Sequence, residues 1–406
     1  MKILIVTQNF PPDIGGGAIR LSGYANYLTQ FGHKVTVLCA NPVYPRGKIF
    51  EGYKNKWFQK EEKDGYTIVR TWIWPVKPKS HPIKRIVSYC SFVVSACFGS
   101  FRLPKPDIII SATPSLFSSF VSIFYKKVKK VKIILDITDL WPDLALATGF
   151  MKKGTLFSLA KIVEHWIYKN VNYFTPNCEG VKKGLLKNGV KEENLTVISD
   201  CTDLEMFPLD INNEYIKQRY NLENKFVVGY AGLLGFAQKI EDIILAAKEL
   251  KNYQDIVFLI VGGGGLKAKA ENMVKEFELN NVIFAGEQPR REIPFFITSF
   301  SVGLITLAAN DLYRNSMPSK LYDCFAANVP AIVNLKGVMW DVVKNAQAGL
   351  LAAENDPKDM ANKILYLYYN PSEAKIMGNN GRAYAEEHYD RKKIVKKLEA
   401  VINKIK

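Results

Sequence analysis

The stretch "MKILIVTQNFPPDIGGGAIRLSGYANYLTQFGHKVTVLCAN" (1–41) decides the fold. It reads as a strand over 2–8, a turn rich in proline and glycine, a helix over 17–31 and a second strand over 34–40. The two apolar runs are nearly continuous in Ile, Leu and Val rather than alternating with polar residues. Such strands are buried on both faces, which is the condition of a parallel sheet covered by helices. The opening apolar run is five residues long and prolines follow it, so it is expected to be a buried strand rather than a signal peptide.

The same alternation continues along the chain. Strand-like runs are expected at 66–74, 107–113, 132–138 and 195–200, then at 226–232, 256–264, 282–288, 302–308 and 330–335, with helical patterns between them such as 240–250. Repeated βα units predict doubly wound α/β domains, and two sets of strands predict two of them. The break is expected in the polar segment "DCTDLEMFPLDINNEY" (200–215), near Pro208. Open parallel sheets bind ligands beyond the carboxyl ends of their strands, so two such domains facing each other would place a site in the cleft between them. The closing "RKKIVKKLEAVINKIK" (391–406) sets Ile394, Leu398, Val401 and Ile405 on one helical face among lysines, the pattern of a docked amphipathic helix.

Composition narrows the function classes. With 406 residues, 48% of them hydrophobic, the chain is long enough for sizeable cores. Its six cysteines form no C-x-x-C pair and its four histidines, His33, His81, His165 and His388, are scattered. A metal centre or disulfide framework is not expected, and the thiols read as small buried side chains of a reducing compartment. The net charge of +16 is unevenly spread. Residues 1–207 carry +13, residues 208–390 carry −3 and residues 391–406 carry +6. This asymmetry suggests an anionic partner for one part of the molecule, or a lysine-rich surface kept for solubility. No zinc finger, RNP-like run or aromatic-interleaved basic stripe is present, so an anionic membrane surface fits better than nucleic acid. The segment 86–101 is sixteen residues between two arginines and includes four serines, too short for a membrane span. It reads as a core helix or as an interfacial helix dipping into lipid.

Several motifs sit where strands end. Gly15, Gly16 and Gly17 precede the first helix and free its amides, which favours an anion or simply makes a flexible turn. Neither G-x-G-x-x-G nor a P-loop is present. Gly262 to Gly265 form a second glycine run, suited to close approach of a flat ligand or to a tight turn. In "LDITDLWPDLALATG" (135–149), Asp136 is expected inside a strand, Asp139 at its mouth, and Asp143 in the first turn of a helix. In "RNSMPSKLYDCFAANVPAIVNLKG" (314–337), a helix is expected to begin near Pro318 and to stop at Asn328. Proline suits a first turn, where amides lack intrahelical acceptors. Lys320 and those amides form either an anion site or a capped helix with an exposed lysine.

These segments, together with "VISDCTDLEMF", "GYAGLLGFAQKIEDIILAA", "FLIVGGG" and "VIFAGEQPRREI", resemble the group 1 glycosyltransferases, family four, retaining enzymes of the GT-B fold. The branch resembled builds bacterial surface polysaccharides such as capsule and O-antigen and includes L-fucosamine transferases. The resemblance implies two Rossmann-like domains: an acceptor domain over 1–207 completed by a returning helix over 386–406, and a nucleotide-sugar domain over 208–385. It implies a donor that is UDP-linked by default, an N-acetylamino sugar among the candidates, a lipid-linked saccharide acceptor, no metal or other cofactor, and a cytoplasmic protein peripheral on the inner membrane face. Basic side chains and helix amides would stabilise the leaving diphosphate.

Residue by residue, the family's paired glutamates fall on Asn315 and Asp323, both departures, and its diphosphate arginine and lysine fall on Leu233 and Gln238. Diphosphate contacts would then shift toward Ser319, Lys320, Lys239 and Arg314, with Ser316 and Met317 in the same loop. Glu287 and Gln288 would meet the base, and Gly232 and Gly263 would line the donor. Gly16 and Gly17 would border the cleft, and Asp139 would stand near the reacting sugar. The catalytic set implied is Asp139, Asn315 and Lys320. Two other readings of the fold are a sugar-nucleotide epimerase and a catalytically silent membrane scaffold.

Overall fold

The computed structural model describes residues 1–406 apart from 14, 78–79, 113–115 and 148–150. The chain forms two compact units, Met1–Asp200 with Lys392–Lys406, and Cys201–Arg391.

The first unit is built on a seven-stranded sheet of β1 (Lys2–Val6), β2 (Lys34–Ala40), β3 (Phe58–Lys63), β4 (Tyr66–Thr71), β5 (Ile108–Ala112), β6 (Lys132–Ile137) and β7 (Tyr173–Pro176), in the order β3-β4-β2-β1-β5-β6-β7. Its pairs are parallel except β3 against β4. β1 bonds both β2 and β5, so the winding direction reverses beside it. The central strands are buried apart from Lys2 and Lys132 at the starts of β1 and β6, as their Ile/Leu/Val runs require. The second unit holds β8 (Phe226–Ala231), β9 (Ile256–Val261), β10 (Val282–Gly286), β11 (Val302–Ile305), β12 (Ala331–Val333) and β13 (Gly349–Leu351), all parallel, in the order β10-β9-β8-β11-β12-β13. Here the reversal lies between β8 and β11. Ile240, Ile243, Ile244 and Ala247 of the Ile240–Glu249 helix seal one face of this sheet together with Met360 and Ile364.

The doubly wound fold agrees with the expectation from sequence, with local corrections. The run 195–200 is not a strand. Thr196 and Ile198 donate backbone bonds to Phe174 and Pro176, but the carbonyls of Ile198 and Ser199 accept from the Arg20 guanidinium instead of a neighbouring strand. β3, "FQKEEK", went unread because its side chains are polar and half exposed on an antiparallel edge. β7 and β13 are only four and three residues long. The expected helix from Pro318 to Asn328 is Ser319–Ala326: Pro318 is an extended N-cap and Asn328 is left-handed.

The Arg391–Ile405 helix packs on the first unit. It buries Ile394, Val395, Leu398, Val401 and Ile402, while Ile405 is half-buried. Glu399 holds His33 at 2.8 Å, and Lys132 Nζ donates to the Ile405 carbonyl at 2.8 Å. The two ends of the second unit are bonded to each other: Thr202 N–H donates to Tyr389 O, Arg391 N–H donates to Thr202 O, and the Arg391 guanidinium holds Asp203 at 2.5 Å.

Candidate functional site

The second unit carries a concentrated site at its winding reversal, where the pairing of β8 with β11 stops at Gly229 and Gly303; in open parallel sheets ligands bind beyond the carboxyl ends of the strands at such a point. The loop after β11 leads through Pro318 into the Ser319–Ala326 helix. No side chain caps that helix; the Leu321 amide donates to Pro318 O at 3.1 Å, while the amides of Ser319 and Lys320 precede any intrahelical acceptor. Lys320, in its first turn, turns back toward β8. Its Nζ donates to the Tyr230 hydroxyl at 2.6 Å and lies 4.4 Å from the ring centroid. Among the described residues it has no carboxylate partner. Burial pushes its pKa down to about 7, since an ammonium removed from water without a counter-charge favours its neutral form.

Gly232, the residue after β8, covers this lysine. It has φ +148, and a Cβ placed there would stand 2.2 Å from Lys320 Cε. The glycine therefore serves the lysine's passage. The second glycine run packs by contact between loops. Gly262 and Gly264 lie against the backbone of Gly232 and Leu234, tied by Gly232 N–H to Val261 O and Leu234 N–H to Gly263 O. Gly263 faces the Glu287 carboxylate, which a Cβ would meet at 2.4 Å. Glu287 thus belongs with the glycine loops, and Gln288 folds onto Ala285 O at 2.7 Å.

Most of the remaining donor candidates already have partners within the second unit. Arg314 makes a bidentate pair with Glu354 at 2.5 and 2.7 Å. Asn315 is exposed and donates to Asp311 O. Ser316 bonds Tyr313 O, Met317 is buried, and Ser319 is exposed at the helix start. Lys239 is left-handed and pairs with Asp242 at 3.4 Å, while Gln238 accepts from Thr306 through its carbonyl. Asp323 is held on both oxygens: Arg290 donates to it at 2.6 and 2.9 Å and Thr202 at 2.9 Å. A carboxylate has about four acceptor positions, so this one has room for one further donor rather than two ribose hydroxyls. Tyr230, Arg290, Thr202 and Glu354 did not emerge from the sequence reading. Tyr230 lies inside an apolar strand and Arg290 in a polar turn, and neither pattern signals a partner.

In the first unit, Gly16 and Gly17 form the first turn of the Gly16–Gln30 helix. Four residues on, Arg20 is 3% exposed and its five N–H groups are directed at Asp136, Asp200 and the carbonyls of Ile198 and Ser199. Asp136, inside β6, also accepts from Thr175, and Asn177 donates to Asp200. This network frames Asp139, just past β6. Burial and the nearby Asp200 charge raise the Asp139 pKa to about 6, opposed by a bond from Thr138. Asp13, before the glycines, accepts from the amides of Val43 and Tyr44 and anchors the loop. Asp143 opens a short helix and pairs with Lys161.

Comparison with known proteins agrees with both units. Residues 15–201 match the family model described as "Glycosyl transferase 4-like domain", and residues 212–384 match "Glycosyl transferases group 1". A protein named as a colanic acid biosynthesis glycosyl transferase, WcaI of Escherichia coli (strain K12), is 28% identical over 341 residues, 82% of this chain and 83% of its own. Among solved structures, sucrose-phosphate synthase of Thermosynechococcus elongatus superposes with a TM-score of 0.79 at 16% identity, over 100% of this chain and 98% of its own. Anabaena Alr3699/HepE, solved in complex with UDP, does so at 0.72 and 13% identity over the whole of both chains. The chain is therefore a glycosyltransferase of the GT-B fold that joins a glycosyl transferase 4-like domain to a group 1 glycosyl transferase domain.

Proposed function

We propose that the protein transfers a sugar from a UDP-sugar, an N-acetylamino sugar among the candidates, to a lipid-linked saccharide during bacterial surface polysaccharide synthesis. In this reading configuration is retained, no metal takes part, and the protein works peripherally on the inner membrane face. The observation that carries it is the half-buried Lys320 beneath Gly232, a cation with no carboxylate partner among the described residues, beside the first amides of the Ser319–Ala326 helix at a winding reversal. A lysine and helix amides converging in this way suit a diphosphate. UDP as the nucleotude is supported by HepE, solved with UDP and with UDP-glucose. The polysaccharide context is supported by the colanic acid relative and by CapM of Staphylococcus aureus, named for capsular polysaccharide biosynthesis and 26% identical over 54% of this chain and 58% of its own.

On departure of UDP, negative charge grows on the β-phosphate, where Lys320 and the amides of Ser319–Ala326 would receive it. The acceptor hydroxyl would attack on the face the diphosphate leaves, with a phosphate oxygen taking its proton. Asp139, from the first unit, would orient the reacting sugar. The test is thermal stabilisation by UDP, GDP and free sugars, repeated with Lys320→Ala. Stabilisation by UDP that the variant loses supports the reading; no response to any nucleotide refutes it.

A further inference from the structure

The Pro82–Ser100 helix is built inside out. Its buried face carries Ser88, Phe92, Ser95, Ala96, Gly99 and Ser100, mostly small or hydroxylated side chains. Ser88 and Ser95 donate to the carbonyls of Trp74 and Trp72, and Ser91 accepts from the Trp74 amide, so hydrogen bonds fasten the helix to the segment after β4. Its outer face carries Ile83, Ile86, Val87, Cys90, Val94 and Phe98, all exposed; Ile83 is 64% and Phe98 66% exposed. A helix that only covered a sheet would show the reverse distribution. Beside this face Trp57 stacks on Trp72 at 5.5 Å, and Trp74 meets Trp72 edge-on at 6.4 Å. Trp57 and Trp74 are more than half exposed, and together with the helix they bound an open apolar groove of about 370 Å³. A contiguous apolar surface of this kind marks an interaction site.

Charge selects the occupant. Residues 65–106 contain seven Lys and Arg and no Asp or Glu. Lys54, Lys56, Lys77, Lys84 and Arg102 are exposed on and around the helix. The first unit as a whole holds 35 Lys and Arg against 15 Asp and Glu, whereas the second holds 20 against 24. Among the described residues no helix is long and apolar enough to cross a membrane. Aliphatic side chains on one face, a tryptophan cluster beside them and a purely cationic surround are the features of a surface lying in the interface of an anionic bilayer.

We infer that the outer face of the Pro82–Ser100 helix and the Trp57–Trp72–Trp74 groove insert into the headgroup–acyl boundary of an anionic membrane. The inference rests on the membrane partner proposed above and gives it a place on the molecule. It also separates two contributions to binding: lysines attract the protein to the surface, and the helix holds it there.

The experiment is flotation of the full chain with phosphatidylglycerol vesicles and with phosphatidylcholine vesicles, at low and high salt, with tryptophan quenching by brominated lipid. Wild type should float with the anionic vesicles, retain a fraction at high salt and be quenched. The triple variant Ile86→Ser, Val94→Ser, Phe98→Ser should lose at least about ten-fold in partitioning, since each methylene removed from lipid is worth roughly a factor of four. It should also lose the salt-resistant fraction while keeping its UDP-induced thermal shift. Trp57→Phe with Trp74→Phe should lose most of the quenching with the fold unchanged. Equal flotation of wild type and triple variant, without quenching, overturns the surface but leaves the membrane partner standing. Failure of wild type to float overturns both. A concentration-dependent dimer that the triple variant abolishes, without vesicle binding, shows that a second copy covers this face and overturns the inference.

Discussion

If Lys320 is the diphosphate cation, UDP binding above pH 7 must be accompanied by uptake of a proton from the medium. In the ligand-free chain burial holds the lysine near pKa 7, with only the Tyr230 hydroxyl against its Nζ. At pH 8 about nine-tenths of molecules then carry a neutral amine, by the ordinary titration relation. A bound diphosphate restores the counter-charge and raises the pKa, so binding at pH 8 takes up about 0.9 proton per UDP. Affinity should be flat below pH 7 as far as the lysine is concerned, and fall about ten-fold per pH unit above it. Calorimetric titration of UDP at pH 8, in buffers of differing ionisation enthalpy, measures the uptake directly; Lys320→Met should abolish it.

The empty protein gives the complementary sign. Unfolded, the lysine keeps its proton up to 10.5; folded, only up to about 7. Between these values the unfolded chain binds more protons, so ligand-free stability rises with pH across that window. At about 1.4 kcal/mol per pH unit the ceiling is about 5 kcal/mol. Lys320→Met should flatten this dependence and stabilise the ligand-free chain near pH 7. UDP binding without proton uptake, or equally tight at pH 7 and 9, would refute the reasoning.

Gly232→Ala should lower stability by about 1–3 kcal/mol, because its φ is positive and its methyl group would strike Lys320, and should erase the UDP-induced thermal shift. Arg290→Ala leaves the Asp323 carboxylate with Thr202 alone among its present donors; a loss of about 2–3 kcal/mol in denaturant unfolding is expected, the partly exposed arginine reducing the cost of a fully buried pair. Asp139→Asn should cut transfer roughly 10²-fold while sparing UDP binding. In the wild-type pH–rate profile an acidic limb near pH 6 should appear, and the variant should lack it.

The strands of both sheets were legible because burial on two faces writes unbroken Ile, Val and Leu into the chain. β3 was not, since an exposed edge strand needs no apolar residues and "FQKEEK" has nearly none. Lys320 could be picked out because it follows a proline at a helix start after a strand, three local signals in register. Its depressed pKa could not, because that depends on Tyr230 and Gly232, about ninety residues earlier in the chain. Asp323 shows the same limit from the other side. The resemblance set it in place of a family glutamate at the donor, while Arg290 and Thr202, which occupy most of its lone pairs, lie at sequence distances that no local pattern reports.

The bonds that join Thr202 to Tyr389 and Arg391 give the second unit the topology of a cassette. It enters and leaves the chain through one stitched seam, while the first unit is completed only by the final helix returning after that seam. Closely spaced ends allow a domain to be inserted or exchanged with little disturbance to its host. A different 201–391 module could therefore be spliced in at this seam without cutting a strand of the first sheet.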